Sequence, residues 1–164
     1  MGRTRTNPVE HFWMKVRFSN DCWEWRGARL SAGYGMFAVD SNKSIVKLAH
    51  RYAYEICVGE IPAGVDLDHR CHNEDLACRG GMSCPHRRCV RPEHLEVATR
   101  RENLLRSQWT PAAINARKAH CPQGHILTGS NLIPSALPRR SCRLCNSENG
   151  KMRYQARKQE LLAN

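Results

Sequence analysis

Between Asp66 and Asn103 the chain carries four of its nine cysteines and four of its eight histidines. Such a segment is too polar to form a hydrophobic core, and cysteine and histidine at short spacings are the ligands that zinc prefers in proteins. The segment opens with the pair Asp68-His69, and Asn103 follows on a predicted helix. These residue types can bind a hard cation or accept a proton. The segment therefore predicts metal chemistry, with a catalytic cation in addition to structural zinc.

The rest of the composition favours a small protein held together by metal ions. The chain has 164 residues and a mean hydropathy of −0.61, so it forms one domain with appendages or two very small domains with thin cores. Disulfides are disfavoured because the cysteine count is odd, no signal peptide opens the chain, and histidines are interleaved with the cysteines. No stretch approaches 18 apolar residues, which predicts no membrane span and a reducing cytoplasmic location.

Positive charge is concentrated in the C-terminal part of the chain. The formal net charge is +11, and residues 100–164 contain 12 of the 26 Lys and Arg residues but only three of the 15 acidic residues. A basic tail of this kind is typical of proteins that bind polyanions such as double-stranded DNA. Charge alone does not separate DNA binding from ordinary solubility.

Local patterns predict a mixture of short helices and strands. Asn7-Pro8 predicts the start of a helix that ends near Phe18 and turns Phe12 and Val16 inward. CWEWRG and YGMFAV predict two strands around the turn LSAG. HRYAYEICVG predicts a helix that ends at Gly59, with Cys57 buried as a small hydrophobic residue. VDLDH and LEVA predict strands, and Thr99 to Glu102 forms a capping box that begins a helix.

The C-terminal part contains a zinc motif that can be recognised from spacing alone. Sixteen residues separate Cys121-x3-His125 from Cys142-x2-Cys145, as expected for a closed tetrahedral Cys3His site. His120 could replace His125 only with poorer geometry, because it is adjacent to Cys121. After this module, NGKMRYQARKQELLAN predicts a basic terminal helix.

The central cysteines and histidines divide into two groups. Cys71, Cys89 and His94 flank the predicted catalytic loop. A second set lies inside a polar excursion at residues 72–88, where a zinc ion could replace the missing apolar core; its members are His72, Cys78, Cys84 and His86. The alternative is a flexible loop with two free thiols.

Four blocks in the same order resemble the phage-type HNH endonucleases and the related His-Cys box homing endonucleases. The blocks are CWEWRGARLSAGYG, LAHRYAYEICVGEIP, DHRCHN and CVRPEHLEVATRREN, which together cover roughly residues 8–106. The resemblance implies an α+β fold in which a ββα-metal unit binds one divalent cation and a nearby zinc braces its loop. It also permits a homodimer. The chain departs from the family where the middle Asn of the motif is Arg91, and where the excursion at 72–88 is inserted.

The resemblance assigns roles to individual residues. His69 matches the general base, Asn103 the metal-binding residue of the helix, and Asp68 the acidic ligand found in many HNH enzymes. Mg²⁺ or Mn²⁺ suits these oxygen ligands. Cys22 matches the upstream ligand of the bracing zinc, together with Cys71, Cys89 and His94. The chain is then expected to hold two to three structural Zn²⁺.

These observations predict a metal-dependent DNA endonuclease encoded by a phage or mobile element, acting in the host cytoplasm by homing-like or nicking cleavage. The expected organisation is a zinc-stapled nuclease core at 1–106, a linker at 107–119, and a zinc module with a basic helix at 120–164. Expected phosphate contacts are Lys47, Arg51, Arg100, Arg101, Arg106, Arg139, Arg140, Arg143, Lys151, Arg153, Arg157 and Lys158. The alternatives are a non-catalytic zinc-stapled DNA-binding protein and, less favoured because aromatics are only 7%, an RNA-binding or RNA-cleaving protein.

Overall fold

The structure, a computed structural model, describes residues 7–40, 44–134 and 140–163 and is a mixed α+β protein. It divides into two compact units, an N-terminal unit at Met1–Gln108 and a C-terminal unit at Trp109–Asn164. Among the described residues, no helix is both long enough and apolar enough to cross a bilayer.

The N-terminal unit consists of short helices and three antiparallel strand pairs. Its helices are α1 (Pro8–Trp13), α2 (Ala49–Cys57), α3 (Arg70–Glu74) and α4 (Arg100–Arg106). Its strands are β1 (Val16–Arg17), β2 (Glu24–Trp25), β3 (Met36–Ala38), β4 (Val46–Leu48), β5 (Asp66–His69) and β6 (Leu95–Ala98). β1 pairs with β2, β3 with β4 and β5 with β6. Two 3-10 turns, Pro85–Arg88 and Pro92–His94, lie between α3 and β6.

The start of the chain follows the sequence prediction only in part. The Asn7 side chain accepts a hydrogen bond from Val9 N and Pro8 is the first helical residue, as predicted. The predicted end near Phe18 is wrong, because α1 stops at Trp13 and Val16 pairs with Trp25 across β1 and β2. The two blocks around LSAG are also not one hairpin. β2 pairs with β1 and β3 with β4, and the chain around LSAG forms an isolated bridge between Arg29 and Gly35.

An aromatic cluster forms the main core of the N-terminal unit. The rings of Phe12 and Trp25 stack with centroids 4.9 Å apart, and Phe37 and Tyr52 pack around Phe12. A Cβ atom at Gly35 would lie 2.4 Å from the Trp25 ring, so only glycine lets the backbone pass this close. Cys57 does not join this core. It is exposed, and the prediction that it is buried is wrong.

Strands β5 and β6 and helix α4 form a compact ββα arrangement. Asp66 lies opposite Ala98 and Asp68 opposite Glu96 in the β5–β6 ladder. Because successive strand residues point to opposite faces, Asp66 and Asp68 share one face while Leu67 and His69 share the other. The predicted capping box is present: Thr99 and Glu102 bond reciprocally at the start of α4.

The C-terminal unit begins with a helix where a linker was expected. Its elements are α5 (Pro111–Arg117), β7 (Leu132–Ile133), β8 (Ser141–Cys142) and α6 (Arg143–Ala163), with a 3-10 turn at Gly129–Asn131. β7 and β8 pair antiparallel, with Leu132 opposite Cys142. The buried cluster of this unit contains Cys121, Leu127 and Cys142, so two of its three buried members are cysteines.

Candidate functional site

Three groups of four cysteines and histidines each converge within the described residues. In each group the four ligand atoms all lie within 4.8 Å of one another. We call them the Cys22 cluster (Cys22, Cys71, Cys89, His94), the His72 cluster (His72, Cys78, Cys84, His86) and the Cys121 cluster (Cys121, His125, Cys142, Cys145). All nine cysteines are free thiols. Sulfur-rich sets of this size and spacing could hold zinc.

The Cys22 cluster joins residues that are far apart in sequence. His94 Nδ1 lies 3.6 Å from both Cys22 Sγ and Cys89 Sγ. Arg91 fixes the loop that carries Cys22, because its Nη1 donates to Asn20 O at 2.6 Å and Asp21 O at 2.8 Å. Arg91 therefore links the loop that carries Cys22 to the segment that carries Cys89 and His94.

The thiols of the Cys22 cluster shift one another's pKa values. A hydrogen bond from Cys71 lowers the pKa of Cys89 to about 5, whereas burial raises the pKa of Cys22 to about 12. The hydrogen bond to Cys89 and burial together raise the pKa of Cys71. One thiolate is thus favoured at the expense of its neighbours, and a bound divalent cation is what would let all three ionise together.

The His72 cluster organises the excursion at residues 72–88. Cys84 Sγ lies 3.5 Å from Cys78 Sγ, 3.7 Å from His72 Nδ1 and 3.6 Å from His86 Nδ1. Its sulfur is buried while the loop around it is mostly exposed. The excursion thus has a polar four-residue centre in place of an apolar core.

The Cys121 cluster is the tightest of the three by these distances. His125 Nδ1 lies 3.3 Å from Cys145 Sγ, 3.5 Å from Cys121 Sγ and 3.6 Å from Cys142 Sγ. The backbone N–H of Cys145 lowers the pKa of Cys142 to about 6. His120 is exposed, lies outside the cluster and bridges to Ile126 through its backbone.

His69 is a buried imidazole whose orientation is fixed. Its side chain lies at the end of β5, and the residue is 6% exposed. Its Nε2 lies 3.1 Å from the carbonyl oxygen of Cys89. Since a carbonyl only accepts, Nε2 carries the proton and Nδ1 keeps its lone pair. Burial lowers the pKa of His69 to about 4, so the ring is neutral at physiological pH.

A second buried histidine lies against the first. His50, near the start of α2, is 5% exposed, and its ring centroid is 4.8 Å from that of His69. Tyr34 completes the group, 5.5 Å from His50 and 6.1 Å from His69, with the Arg87 guanidinium 4.9 Å above its ring. His50 Nδ1 has no hydrogen-bond partner among the described residues.

Asp68 lies on the opposite face of β5 and is surrounded by polar partners. The residue is 7% exposed, and its Oδ2 accepts a hydrogen bond from Asn73 Nδ2 at 2.7 Å. Arg106 Nη1 lies 3.8 Å from the same oxygen, while Arg106 Nη2 donates to Glu96 at 3.0 Å. The guanidinium therefore lies between two carboxylates that face each other across the β5–β6 ladder and offsets part of their charge.

Asn103 contacts a carboxylate that sequence reasoning did not single out. Its Nδ2 donates to Asp66 Oδ2 at 2.8 Å, and Arg100 Nη1 lies 3.1 Å from the same oxygen. The Asn103 bond, with a smaller contribution from Arg100, lowers the pKa of Asp66. The alternation of β5 was the available signal, because it places Asp66 on the face that carries Asp68.

The basic residues expected to contact phosphate fall into different environments. Three are used internally: Lys47 pairs with Glu55, Arg140 donates to the carbonyls of Ala116, Lys118 and Leu127, and Arg143 donates to Ser130 O. Arg100 and Arg106 face carboxylates, as described above. Arg139 lies outside the described residues. Within the described ranges, no side-chain hydrogen bond or ion pair is found for Arg51, Arg101, Lys151, Arg153, Arg157 or Lys158.

The chain is similar to two curated proteins of Escherichia phage T7. It is 33% identical to "Protein 2.8" over 85 residues, which is 52% of this chain and 48% of that protein. It is 31% identical to "Protein 7.7" over 83 residues, which is 51% of this chain and 52% of that protein. The chain thus spans about half the length of the curated relatives it matches. Both are phage proteins, and their names state no activity. No family model and no solved structure matches the chain.

Proposed function

We propose that this chain is a metal-dependent DNA endonuclease of the HNH class, in which β5, β6 and α4 form the ββα-metal unit. The observation that carries the proposal is the environment of His69. Its Nε2 is held by the Cys89 carbonyl, so Nδ1 is a fixed, unprotonated acceptor next to the Cys22 cluster, to which Cys89 belongs. A general base needs this combination of position and protonation state.

The residues around His69 supply the other requirements of phosphodiester hydrolysis. His69 Nδ1 would accept the proton of the attacking water. Asp68 and the amide oxygen of Asn103 would hold one Mg²⁺ or Mn²⁺, since hard cations prefer oxygen ligands. When bound, that cation would offset charge on the phosphate and on the leaving oxygen.

The residues fit a cation at Asp68. The carboxylate is nearly buried and already has a positive group, Arg106 Nη1, at 3.8 Å. That nitrogen makes no hydrogen bond within the described part of the chain, so Arg106 balances the charge of Asp68 without occupying its hydrogen-bonding capacity. A divalent cation would carry twice that charge and could be bound directly by the Asp68 carboxylate oxygen, whereas Arg106 Nη1 stays 3.8 Å away.

The three clusters would then be structural zinc sites, and Cys89 links one of them to the base. Its sulfur belongs to the Cys22 cluster and its carbonyl holds His69. Zinc at this cluster would fix the orientation of the imidazole. Double-stranded DNA is the proposed substrate, with Arg51, Arg101 and the exposed cations of α6 as phosphate contacts.

Incubation of the zinc-loaded protein with supercoiled plasmid tests the proposal. Nicked or linear product should appear with Mg²⁺, stop after brief EDTA treatment and return when Mg²⁺ is added. The closed thiolate sites should keep their zinc during this treatment. Rescue by Zn²⁺ alone would show that the catalytic metal is misassigned.

One observation favours the non-catalytic alternative, a zinc-stapled DNA-binding protein. The polar groups of the proposed cation site already have protein partners: Asn73 for Asp68, and Asn103 for Asp66. A protein that binds the plasmid with a salt-dependent affinity but leaves it supercoiled at every Mg²⁺ and Mn²⁺ concentration would be this binder.

A further inference from the structure

We propose that Asp66 is a positioning residue that orients the Asn103 amide so that its oxygen faces the catalytic cation. The inference rests on the proposed function, because it concerns the cation that Asn103 would bind. It adds a residue that neither the motif nor the three Cys/His clusters contain.

The hydrogen bond between the two side chains decides which end of the amide is free. Asn103 Nδ2 lies 2.8 Å from Asp66 Oδ2. The reverse orientation would place the amide oxygen against a carboxylate oxygen, and two acceptors at this distance repel. The donor end of the amide is therefore committed to Asp66, and Oδ1, the only atom of this side chain that can bind a hard cation, is left available.

The placement of the two residues makes this contact specific. Asp66 and Asp68 lie on the same face of β5, two residues apart, and α4 packs against the antiparallel pair that β5 forms with β6. The capping box fixes the first turn of α4, and this holds Asn103 in place opposite Asp66 of β5. Partners that orient a metal ligand typically alter metal affinity when they are removed.

Arg100 disfavours metal coordination by the Asp66 oxygen that faces Asn103. Its Nη1 donates to the same Oδ2 atom that accepts from Asn103. An oxygen that accepts two hydrogen bonds has little capacity left for coordination. Asp66 thus acts through Asn103, whereas Asp68 faces the proposed cation directly.

The test measures Mn²⁺ binding by electron paramagnetic resonance in protein whose thiolate sites are filled with zinc. Asp66→Ala should weaken Mn²⁺ binding about 10- to 100-fold. Asp66→Asn should keep most of the affinity, because its side-chain oxygen still accepts from Asn103 Nδ2. Glu74→Ala, which removes an exposed carboxylate paired with Arg70, should leave the affinity unchanged. Zinc content and the thermal midpoint report whether each variant is folded.

Two further measurements distinguish orientation of Asn103 by Asp66 from a direct effect of the Asp66 charge on the cation. In the Asn103→Ala background, Asp66→Ala should have no additional effect, because there is no amide left to orient. The side-chain amide resonances of Asn103 should move in Asp66→Ala and much less in Asp66→Asn. An equal loss of Mn²⁺ affinity with and without Asn103, or an Asp66→Asn variant as weak as Asp66→Ala, would overturn the inference.

Failure of the proposed function would look different from failure of this inference. If the wild-type protein binds no Mn²⁺ at all, both fall together. If the wild-type protein binds Mn²⁺ and Asn103→Ala weakens it, but Asp66→Ala binds as well as the wild type, only the positioning role is wrong.

Discussion

The two units of this chain each contain a Cys3His cluster, but the cluster has a different place in each. In the N-terminal unit the Cys22 cluster lies beside an aromatic core built on Phe12, Trp25 and Phe37. In the C-terminal unit the buried core cluster consists of Cys121, Leu127 and Cys142, so two of its three members belong to the Cys121 cluster. A metal ion would brace a loop in the first unit, whereas in the second it would replace the core.

This difference predicts different consequences of metal loss. An aromatic core can hold the N-terminal unit partly folded without zinc, because it buries several large side chains. The C-terminal unit has too little apolar surface to fold on its own. Loss of zinc should therefore unfold the C-terminal unit but mainly displace His69 in the N-terminal unit.

The largest expected effect is on the chemistry of the N-terminal unit. His69→Ala should reduce plasmid cleavage by about 10²–10⁴-fold, the usual loss when a general base is removed. Zinc content and DNA affinity should change little, since the Cys22 cluster keeps all four ligands. The thermal midpoint should fall, because a buried ring and its contact with the Cys89 carbonyl are lost. Cleavage by this variant at the wild-type rate would refute the assignment of the base.

The next largest effect should be the unfolding of the C-terminal unit when one of its zinc ligands is removed. Cys142→Ser should remove one zinc per chain and unfold residues of the C-terminal unit, because structural zinc contributes about 10–16 kcal/mol of apparent binding energy in small zinc modules. Amide NMR signals from the N-terminal unit should persist. His120→Ala is the matched control, since His120 is exposed and lies outside the cluster. If the C-terminal unit stays folded in Cys142→Ser, it does not depend on zinc for folding, and the proposed difference between the two units is wrong.

Substitution of Cys22 tests whether the Cys22 cluster stabilises the loop that positions His69. Cys22→Ser should remove one zinc, lower the thermal midpoint and reduce cleavage, while the aromatic core remains folded. Cys57→Ser is the control, because Cys57 is exposed and belongs to no cluster. Unchanged zinc content in Cys22→Ser would mean that the upstream ligand is wrong.

Features built from residues close together in the sequence could be predicted, whereas contacts between distant residues could not. The Cys121 cluster and the Thr99–Glu102 capping box are built from short, regular spacings, and both were found from the sequence. Cys22 lies 49 residues before Cys71 and was identified only through the resemblance to a family. Asp66 was missed because its partner Asn103 is 37 residues away and the pairing depends on the β5–β6 register.

Other errors came from tertiary contacts that override local preference. Residues 14–18 fit a helix, but pairing of Val16 with Trp25 takes the chain into a strand. Cys57 has apolar neighbours in sequence, yet its position near the end of α2 leaves it exposed. The basic residues show the same limit, because sequence does not reveal that Arg140 bonds three backbone carbonyls.

A smaller effect should distinguish paired from unpaired cations in the N-terminal unit. The side chain of Arg51 makes no hydrogen bond or ion pair with any described residue, whereas Lys47 is paired with Glu55. Arg51→Ala should weaken DNA binding uniformly across sequences and reduce the slope of log affinity against log salt by about one contact. Lys47→Ala should have a smaller effect in the same filter-binding titration. The opposite order would mean that the Lys47–Glu55 pair opens on DNA.

The smallest expected effect is on the pH dependence of the cleavage rate, on its acidic side. Burial lowers the pKa of His69 from 6.5 to about 4, so the base stays unprotonated at pH 6, where only roughly a quarter of ordinary imidazoles are neutral. The single-turnover rate at saturating Mg²⁺ should therefore hold its plateau below pH 6.5 and fall only as the pH approaches about 4.

The same pKa shift sets the direction of the stability change. Between pH 6.5 and about 4 the unfolded chain binds a proton at His69 that the folded chain does not, so the free energy of unfolding decreases as the pH falls through this window. Zinc content must be measured at each pH, because protons also compete for the thiolates. A cleavage midpoint near pH 6.5 with all zinc retained would show that His69 is as accessible to protons as a surface imidazole. The packing of the N-terminal unit would then not be what tunes the base.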